Sequence, residues 1–434
     1  MDSWRQNFTG DEIRLRHSSA RQTAFEVLYE VDFNNQYSNI LLSRMLRDVD
    51  LSERDRSFVT ELVYGTLRNR GRCDGAIRRT SERSIGEIDP KVLVVLRMTA
   101  YQILFLDSPA HAAVNESVEL AKTVAGKSTA GFVNAVSRRI LELEKDFYDG
   151  LEEEYSHPIW IINAFKDALK DDLKVQAQLT ADNRSQSATL IAWPGRSTVE
   201  ELINLGGEKL DRGVSAVRFT GNPGSLGPVR ERRAGVQEIG SQLVVERFFE
   251  TNTGNLRWLD LCAGPGGKAA YLDSLIEDGE FIANEISIER ARLVQQVVQN
   301  GKVSSFDGTQ IPENVGEFDR ILIDAPCTGI GALRRRPEIR WRRNPSNLQE
   351  LVNLQAKLLD SAASRLRIGG IIGYATCSPH LAETKWQIRD FLKRHPIFKR
   401  IAVAKDSDED GDMQLWTYKD DTDCMYLSLL RKES

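Results

Sequence analysis

Two short stretches place cysteines where they suit chemistry: "DAPCTG" at residues 324–329, with Cys327, and "ATCSPH" at 375–380, with Cys377. Each follows an apolar run that reads as a buried strand, "FDRILIDA" and "GGIIGYATC", so both thiols fall in turns at strand ends. A free cysteine is most often a small buried hydrophobe, but a core filler gains little in such a turn. Methylation of carbon 5 of a pyrimidine has a use for two thiols there. Carbon 5 is a poor nucleophile until a thiolate adds to carbon 6 and makes it enamine-like, which splits one hard step into easier ones. Loss of the carbon 5 proton and elimination of the thiol then restore the ring, and a second cysteine can assist that release. Asp324, at its strand end before Pro326, is placed to contact the N3 and amino edge of a cytosine and to stabilise the charge that develops as sulfur adds.

A glycine turn supplies the second element of chemistry. In "WLDLCAGPGGKAAYL" a strand, a tight turn and a helix follow one another, with Gly264, Gly266 and Ala269 at G-x-G-x-x-G/A spacing. Glu285 ends the next strand about 20 residues on, where a carboxylate can grip ribose hydroxyls. The turn is not a phosphate-cradling P-loop, because Ala269 follows Lys268 where Ser or Thr is required. A dinucleotide fits this pattern, and so does S-adenosylmethionine, with Asp307 of "FDGTQ" accepting from the adenine amino group. Taken singly, these residues are a tight turn, a capping carboxylate and a loop aspartate. Together at three successive strand ends they indicate an adenosyl cofactor without saying which.

The elements that must position these residues follow from periodicity. A chain of 434 residues is too long for one core, so two or three domains are expected. Residues 15–146 read as helix after helix: "ARQTAFEVLYEVDF" puts Ala24, Phe25, Leu28 and Val31 on one face, Ser52 with Asp55 is a capping-box variant, and Asp89-Pro90 opens another helix. Residues 147–239 mix short β-rich pieces with one short helix, a small α+β connecting domain. From 240 to 434 apolar strands alternate with helices, an α/β Rossmann-like domain whose mostly parallel sheet binds ligands at the carboxyl ends of its strands. Residues 1–14 are expected to be a flexible tail.

Composition bounds the rest. At 41% hydrophobic and 28% charged, with no apolar run near the roughly 18 residues of a membrane span and no secretory pattern in "MDSWRQNFTG", a cytoplasmic protein is expected. Five separated cysteines, none in a C-x-x-C pair, argue against disulfides and zinc, and no metal is expected. The net charge of −5 does not suggest nucleic acid, whereas the runs "LRRRPEIRWRR", "RNRGRCDGAIRR" and "RERR" do; each alone also reads as a solvated face. "DSDEDGD" at 406–412 imitates half an EF-hand, but Thr417 stands where the bidentate Glu belongs, so a mobile acidic loop is the reading. His380 is read as structural, at a helix start.

"DLCAGPGGK", "DAPCTG" beside "RRRPEIRW", and "YATCSPH" together resemble the RNA cytosine-5 methyltransferases of the Sun type, bacterial small-subunit ribosomal RNA enzymes that use S-adenosylmethionine. "PAHAAVNESVELAK" and "GFVNAVSRRI" are similar to the helical RNA-binding domain of the antitermination factor NusB, and "GVQEIGSQLV" to the family's entry into its catalytic domain. The resemblance covers nearly the whole chain. It implies Cys377 as nucleophile and Cys327 as assistant in product release. It places Cys262, Ala263, Gly264, Pro265, Gly266, Gly267 and Lys268, with Glu285, Asp307 and Asp324, around S-adenosylmethionine, and Asp324 also against the base. Arg334, Arg335, Arg336, Arg340, Arg342 and Arg343 would lie along the RNA, with Trp341 as a stacking platform. The target cytosine must leave its helix, which fits free or partly assembled ribosomal RNA as partner. No heptad or apolar stripe suggests an oligomer, so a monomer is expected.

The chain departs from the family in "AGPGG" for "AAPGG" and in "DTDCMYLSLL" where a Gly-Phe-Phe strand is usual, which leaves the last strand open and makes Cys424 a core residue. Two other functions remain. A nucleotide-dependent oxidoreductase shares the glycine turn and Glu285 but has no use for paired cysteines. A non-catalytic RNA-binding assembly factor would not bind S-adenosylmethionine, and the intact cysteines argue against it.

Overall fold

The computed structural model describes residues 19–106, 109–144 and 146–433, so the tail expected over 1–14 lies outside it. The chain forms two compact units, one of residues up to Ile159 with Arg336–Glu338, the other of Trp160–Arg335 with Ile339 onward.

The first unit is helical, with helices over Ala20–Phe33, Ser38–Asp48, Glu53–Arg68, Arg70–Thr80, Pro90–Phe105, Ala110–Ala125 and Ala130–Leu141. Ser52 Oγ accepts from Asp55 N–H at 3.1 Å, and Asp89 caps Pro90–Phe105 by accepting from Lys91 and Val92 N–H, as their spacing predicts. Ala24, Phe25, Leu28 and Val31 are all buried in the shared core. A buried ion network crosses it: Arg97 grips both oxygens of Asp74 at 2.6 and 2.9 Å and Asp32 at 2.7 Å. Removing one partner would strand a buried charge. The arginines of "RNRGRCDGAIRR" are in good part engaged inside this unit. Arg70 pairs with Asp32, and Arg78 and Arg79 both pair with Glu153.

The second unit holds two sheets. Strands β1 (Ala188–Ala192), β2 (Glu208–Lys209), β3 (Ala216–Phe219) and β4 (Ala234–Val236) form an antiparallel sheet in the order β2-β3-β1-β4. Strands β5 (Leu256–Asp260), β6 (Gly279–Asn284), β7 (Lys302–Ser304), β8 (Phe318–Asp324), β9 (Leu366–Thr376), β10 (Phe398–Ile401) and β12 (Tyr426–Lys432) form the larger sheet in the order β10-β12-β9-β8-β5-β6-β7, with the short β11 (Met413–Gln414) paired to β12. The five strands β5 to β9 are parallel and β12 is antiparallel to β9. Ile191 and Ala216 of the smaller sheet, with Trp193 just past β1, pack in one cluster with Phe248, Trp258 and Tyr271.

The last strand, open from sequence, is well formed, with Tyr426 to Arg431 paired in register with Thr376 to Ile371, and Cys424 is fully buried in front of it. The helix expected over "IERARLVQQVVQN" stops at Gln295. Buried Asp273, paired with Arg196 at 2.5 Å, accepts from the N–H groups of Gln299, Asn300 and Gly301 and draws the chain out of the helix. The acidic loop expected to be mobile is tied down: Lys385 holds Asp408 at 2.9 Å and Asp410 at 2.7 Å, and Arg247 holds Asp406 at 3.1 Å. Among the described residues no helix is long and apolar enough to cross a membrane.

Candidate active site

The parallel pairing of β8 with β9 sets the two cysteines side by side. Asp324 stands opposite Ala375, and Ala325 N–H donates to Ala375 O at 2.8 Å, so the turns that leave both strands begin together. Cys327 Sγ and Cys377 Sγ are 3.2 Å apart. That is too far for a disulfide, which needs about 2.05 Å, and close enough for one thiol to donate to the other; both are free. Gly331 locks the backbone here: its N–H donates to Cys377 O at 3.0 Å and its carbonyl accepts from Cys424 N–H at 2.8 Å. A Cβ at this glycine would stand 2.2 Å from Cys424 O and 2.8 Å from Cys377 O, so no other residue fits.

Charge makes the pair unequal. Cys377 lies below the usual thiol range because Cys327 hydrogen-bonds to it; burial and Asp324 oppose this, and the Lys268 ammonium reinforces it. Cys327 is raised by the same bond to Cys377, then by burial and by the Glu383 and Asp324 carboxylates. The pair is thus biased so that Cys377 gives up its proton more readily than Cys327. Lys268 Nζ is 2.8 Å from Asp324 Oδ2. Burial works against the lysine charge, and Asp324 outweighs it.

The glycine turn follows β5. Gly266 adopts φ +114°, a conformation open to glycine, and caps the helix Gly267–Leu275. Ala263 N–H donates to Asn284 O, and Cys262, half-buried at the turn, has its thiol pushed up by burial. Glu285, just past β6, accepts from Gly264 N–H at 3.1 Å and Ser287 N–H at 3.0 Å and faces Arg290 at 3.3 Å. Asp307, past β7, accepts from Thr309 N–H and Oγ at 2.9 and 2.7 Å, which lowers its carboxyl.

Two carboxylates escaped the sequence reading. Asp260 ends β5 and is wholly buried; its Oδ1 takes Cys262 N–H at 3.3 Å, its Oδ2 has no partner, and burial plus Asp324 pushes it up to about 7. The signal was its place as the last residue of the strand before the turn, the position already read as significant for Glu285. Glu383, also fully buried, accepts from Thr328 N–H at 2.8 Å and from Thr328 Oγ at 2.5 Å. It stands six residues past Cys377 in a turn, and no spacing rule marks it. His380, as expected, is a cap: its Nδ1 accepts from Ala382 N–H at 3.1 Å.

Asp260, Glu285, Asp307 and Asp324 thus gather at this end of the sheet, with Lys268 paired to Asp324 and Arg290 facing Glu285. A pyrophosphate would be repelled there, and the orphaned Asp260 oxygen suits a cationic ligand.

The arginine run divides. Arg334 is buried and paired with Asp421 at 2.5 Å, and Arg340 is fully buried, donating to Asn183 Oδ1 at 2.7 Å and Asp182 O at 2.9 Å. These two are turned inward rather than along an RNA-facing row. Arg335 is paired with buried Asp423, Arg336 lies 4.8 Å over the Tyr37 ring, and Trp341, Arg342 and Arg343 are partly exposed.

Residues 249–431 match the model of the 16S rRNA methyltransferase RsmB/F family and residues 18–142 that of the NusB family. The Mycobacterium tuberculosis (strain H37Rv) protein Rv1407, named as a methyltransferase, is 40% identical over 95% of this chain and 96% of its own. A Synechocystis sp. (strain PCC 6803) protein named as a ribosomal RNA small subunit methyltransferase B is 30% identical over 87% of this chain and 90% of its own. The crystal structure of PH0851 superposes with a TM-score of 0.82 at 24% identity, over 94% of this chain and 98% of that one, which shows the shared fold. NSun6 from Pyrococcus horikoshii, solved with SFG, gives 0.58 at 16% identity over 64% of this chain and 98% of its own. With its paired strand-end cysteines, glycine turn and N-terminal helices, the chain belongs to the RsmB/F family of 16S rRNA methyltransferases and carries a NusB domain.

Proposed function

We propose that this protein methylates carbon 5 of a cytosine in small-subunit ribosomal RNA, with S-adenosylmethionine as donor, Cys377 as nucleophile and Cys327 assisting release. The 3.2 Å contact between two inequivalent thiols carries the reading. Adjacent thiols could also serve dithiol redox chemistry, and membership of the methyltransferase family is what favours methyl transfer over an oxidoreductase.

When bound, S-adenosylmethionine supplies an electrophilic methyl group. Its ammonium and sulfonium charges suit the surplus of carboxylates, and the unpartnered Asp260 Oδ2 gives a cation a buried partner. Glu285 and Asp307 stand at successive strand ends for the ribose and adenine. Cys377, whose thiol is lowered by the Cys327 hydrogen bond and by Lys268, adds as thiolate to carbon 6 and breaks the ring's conjugation. Asp324 meets the N3 and amino edge of the base, and its bond to Lys268 fixes its direction. After transfer, carbon 5 loses its proton and the Cys377–carbon 6 bond breaks. Cys327, as its thiolate, takes the carbon 5 proton, the electrons of that bond re-form the carbon 5–carbon 6 double bond, and Cys377 leaves as thiolate. Arg335, Arg336, Arg342 and Arg343, with Trp341, are the part of the arginine run that serves RNA; Arg334 and Arg340 serve the fold.

The test mixes Cys327→Ala protein with S-adenosylmethionine and small-subunit ribosomal RNA and seeks a covalent protein–RNA band on a denaturing gel, with Cys327→Ala/Cys377→Ala as control. A band that needs Cys377 supports the reading. Absence of a band, together with wild type that leaves the RNA unmethylated, overturns it.

A further inference from the structure

Buried Glu383 bridges both cysteine turns to a helix. Its Oε1 accepts from Thr328 N–H at 2.8 Å and from Gln355 Nε2 at 3.2 Å, and its Oε2 from Thr328 Oγ at 2.5 Å. Thr328 is the residue after Cys327. Gln355, on the helix Pro345–Ser364, also donates to Pro326 O at 2.9 Å, the residue before Cys327. The Cys327 peptide is therefore held on both sides. Glu383 itself ends the turn that carries Cys377: its carbonyl accepts from the Tyr374 hydroxyl of β9 at 2.9 Å, and Ser378, next to Cys377, touches Thr328 Oγ at 3.3 Å. A fully buried carboxylate is costly unless such bonds are complete. A glutamine here would keep the shape and give up the charge.

We propose that Glu383 is a positioning residue that clasps the Cys327 turn to the Cys377 turn and so sets the distance between the two thiols on which product release depends. The proposal rests on the cytosine carbon 5 reading above. It predicts a particular failure when the clasp is cut. Cys377 still adds to carbon 6, more slowly without the Cys327 hydrogen bond but still supported by Lys268, whereas Cys327 drifts and the adduct persists.

The experiment uses the full chain with S-adenosylmethionine and a transcript of small-subunit ribosomal RNA. Wild type, Cys327→Ala, Glu383→Ala and Glu383→Gln are compared for methyl transfer and for the covalent band, each shown folded by circular dichroism. Glu383→Ala is expected to lose about a hundredfold in turnover, the scale of a misplacement of about 1 Å. It is also expected to accumulate the band seen with Cys327→Ala, while Glu383→Gln recovers most of the turnover and shows little band. Folded Glu383→Ala with no band overturns the proposal, whether its turnover is kept or lost. If Glu383→Ala does not fold, Thr328→Val removes one arm of the clasp in a near-isosteric way, and its failure to accumulate the band is equally decisive. A Cys327→Ala lane without a band, alongside wild type that leaves the RNA unmethylated, overturns the cytosine carbon 5 reading and this proposal with it, whereas a band in that lane alone, or methylation by wild type with no band in any lane, overturns only the clasp.

Discussion

Cys327 Sγ and Cys377 Sγ lie 3.2 Å apart, with Lys268 the cation that lowers Cys377 and Glu383 a carboxylate that raises Cys327. The two thiols are therefore inequivalent, Cys377 being the more readily ionised. Removing either support of the Cys377 thiolate should raise its pKa, so less thiolate is present at neutral pH. Cys327→Ala and Lys268→Met are each expected to move the pH profile of iodoacetamide alkylation at Cys377 to higher pH, read by mass spectrometry of the Cys377 peptide. An unmoved profile in Lys268→Met would mean that the lysine serves only Asp324.

Asp260 is a carboxyl whose folded pKa, about 7, lies above its unfolded value. The folded state then binds the extra proton between the two values, so this group lowers stability as pH rises from about 4 to 7 and leaves a constant penalty above. Asp260→Asn should raise the Tm of the cofactor-free protein at pH 8, by about 2–4 °C for each kcal/mol relieved, with the gain shrinking toward pH 4. The same variant should bind S-adenosylmethionine more weakly in a calorimetric titration. A gain in Tm with unchanged affinity would remove Asp260 from the cofactor site.

Arg340 and Arg343 are three residues apart and should fail differently. Arg340→Ala removes the buried guanidinium that donates to Asn183 Oδ1 and Asp182 O and is expected to cost about 2 kcal/mol or more of stability. Partly exposed Arg343→Ala is expected to leave the Tm in place, weaken ribosomal RNA binding, and reduce the slope of log Kd against log salt by about 1. An Arg343 variant with the wild-type salt slope would place the RNA elsewhere.

Gly331→Ala should damage the site although no chemistry touches that residue. Its Cβ would press on two backbone carbonyls, of Cys424 and Cys377, neither of which can swing away as a side chain does. A lower Tm together with slower alkylation of Cys377 is the expected pair of changes. An unaltered Tm would show that the turn relaxes freely.

By itself the sequence determined the kinds of element and their order. Apolar runs of strand length ending in Asp324 and Thr376, and in Asp260 before the glycine turn, are dictated by local hydrophobic patterning, as are the caps at Ser52 and Asp89. The candidate cysteines were legible for the same reason, since a polar or reactive residue directly after a buried strand has few structural uses. Which partners those residues meet depended on pairings between segments far apart in the chain, and no local period encodes such pairings. Cys327 and Cys377 are fifty residues apart and touch only because β8 and β9 are neighbours in a particular register. The same long-range closure turned Arg334 and Arg340 inward to Asp421, Asn183 and Asp182, orphaned the Asp260 oxygen, and put Glu383 between two turns. Burial and charge at each of these positions are properties of the assembled sheet, and only the tertiary structure decided them.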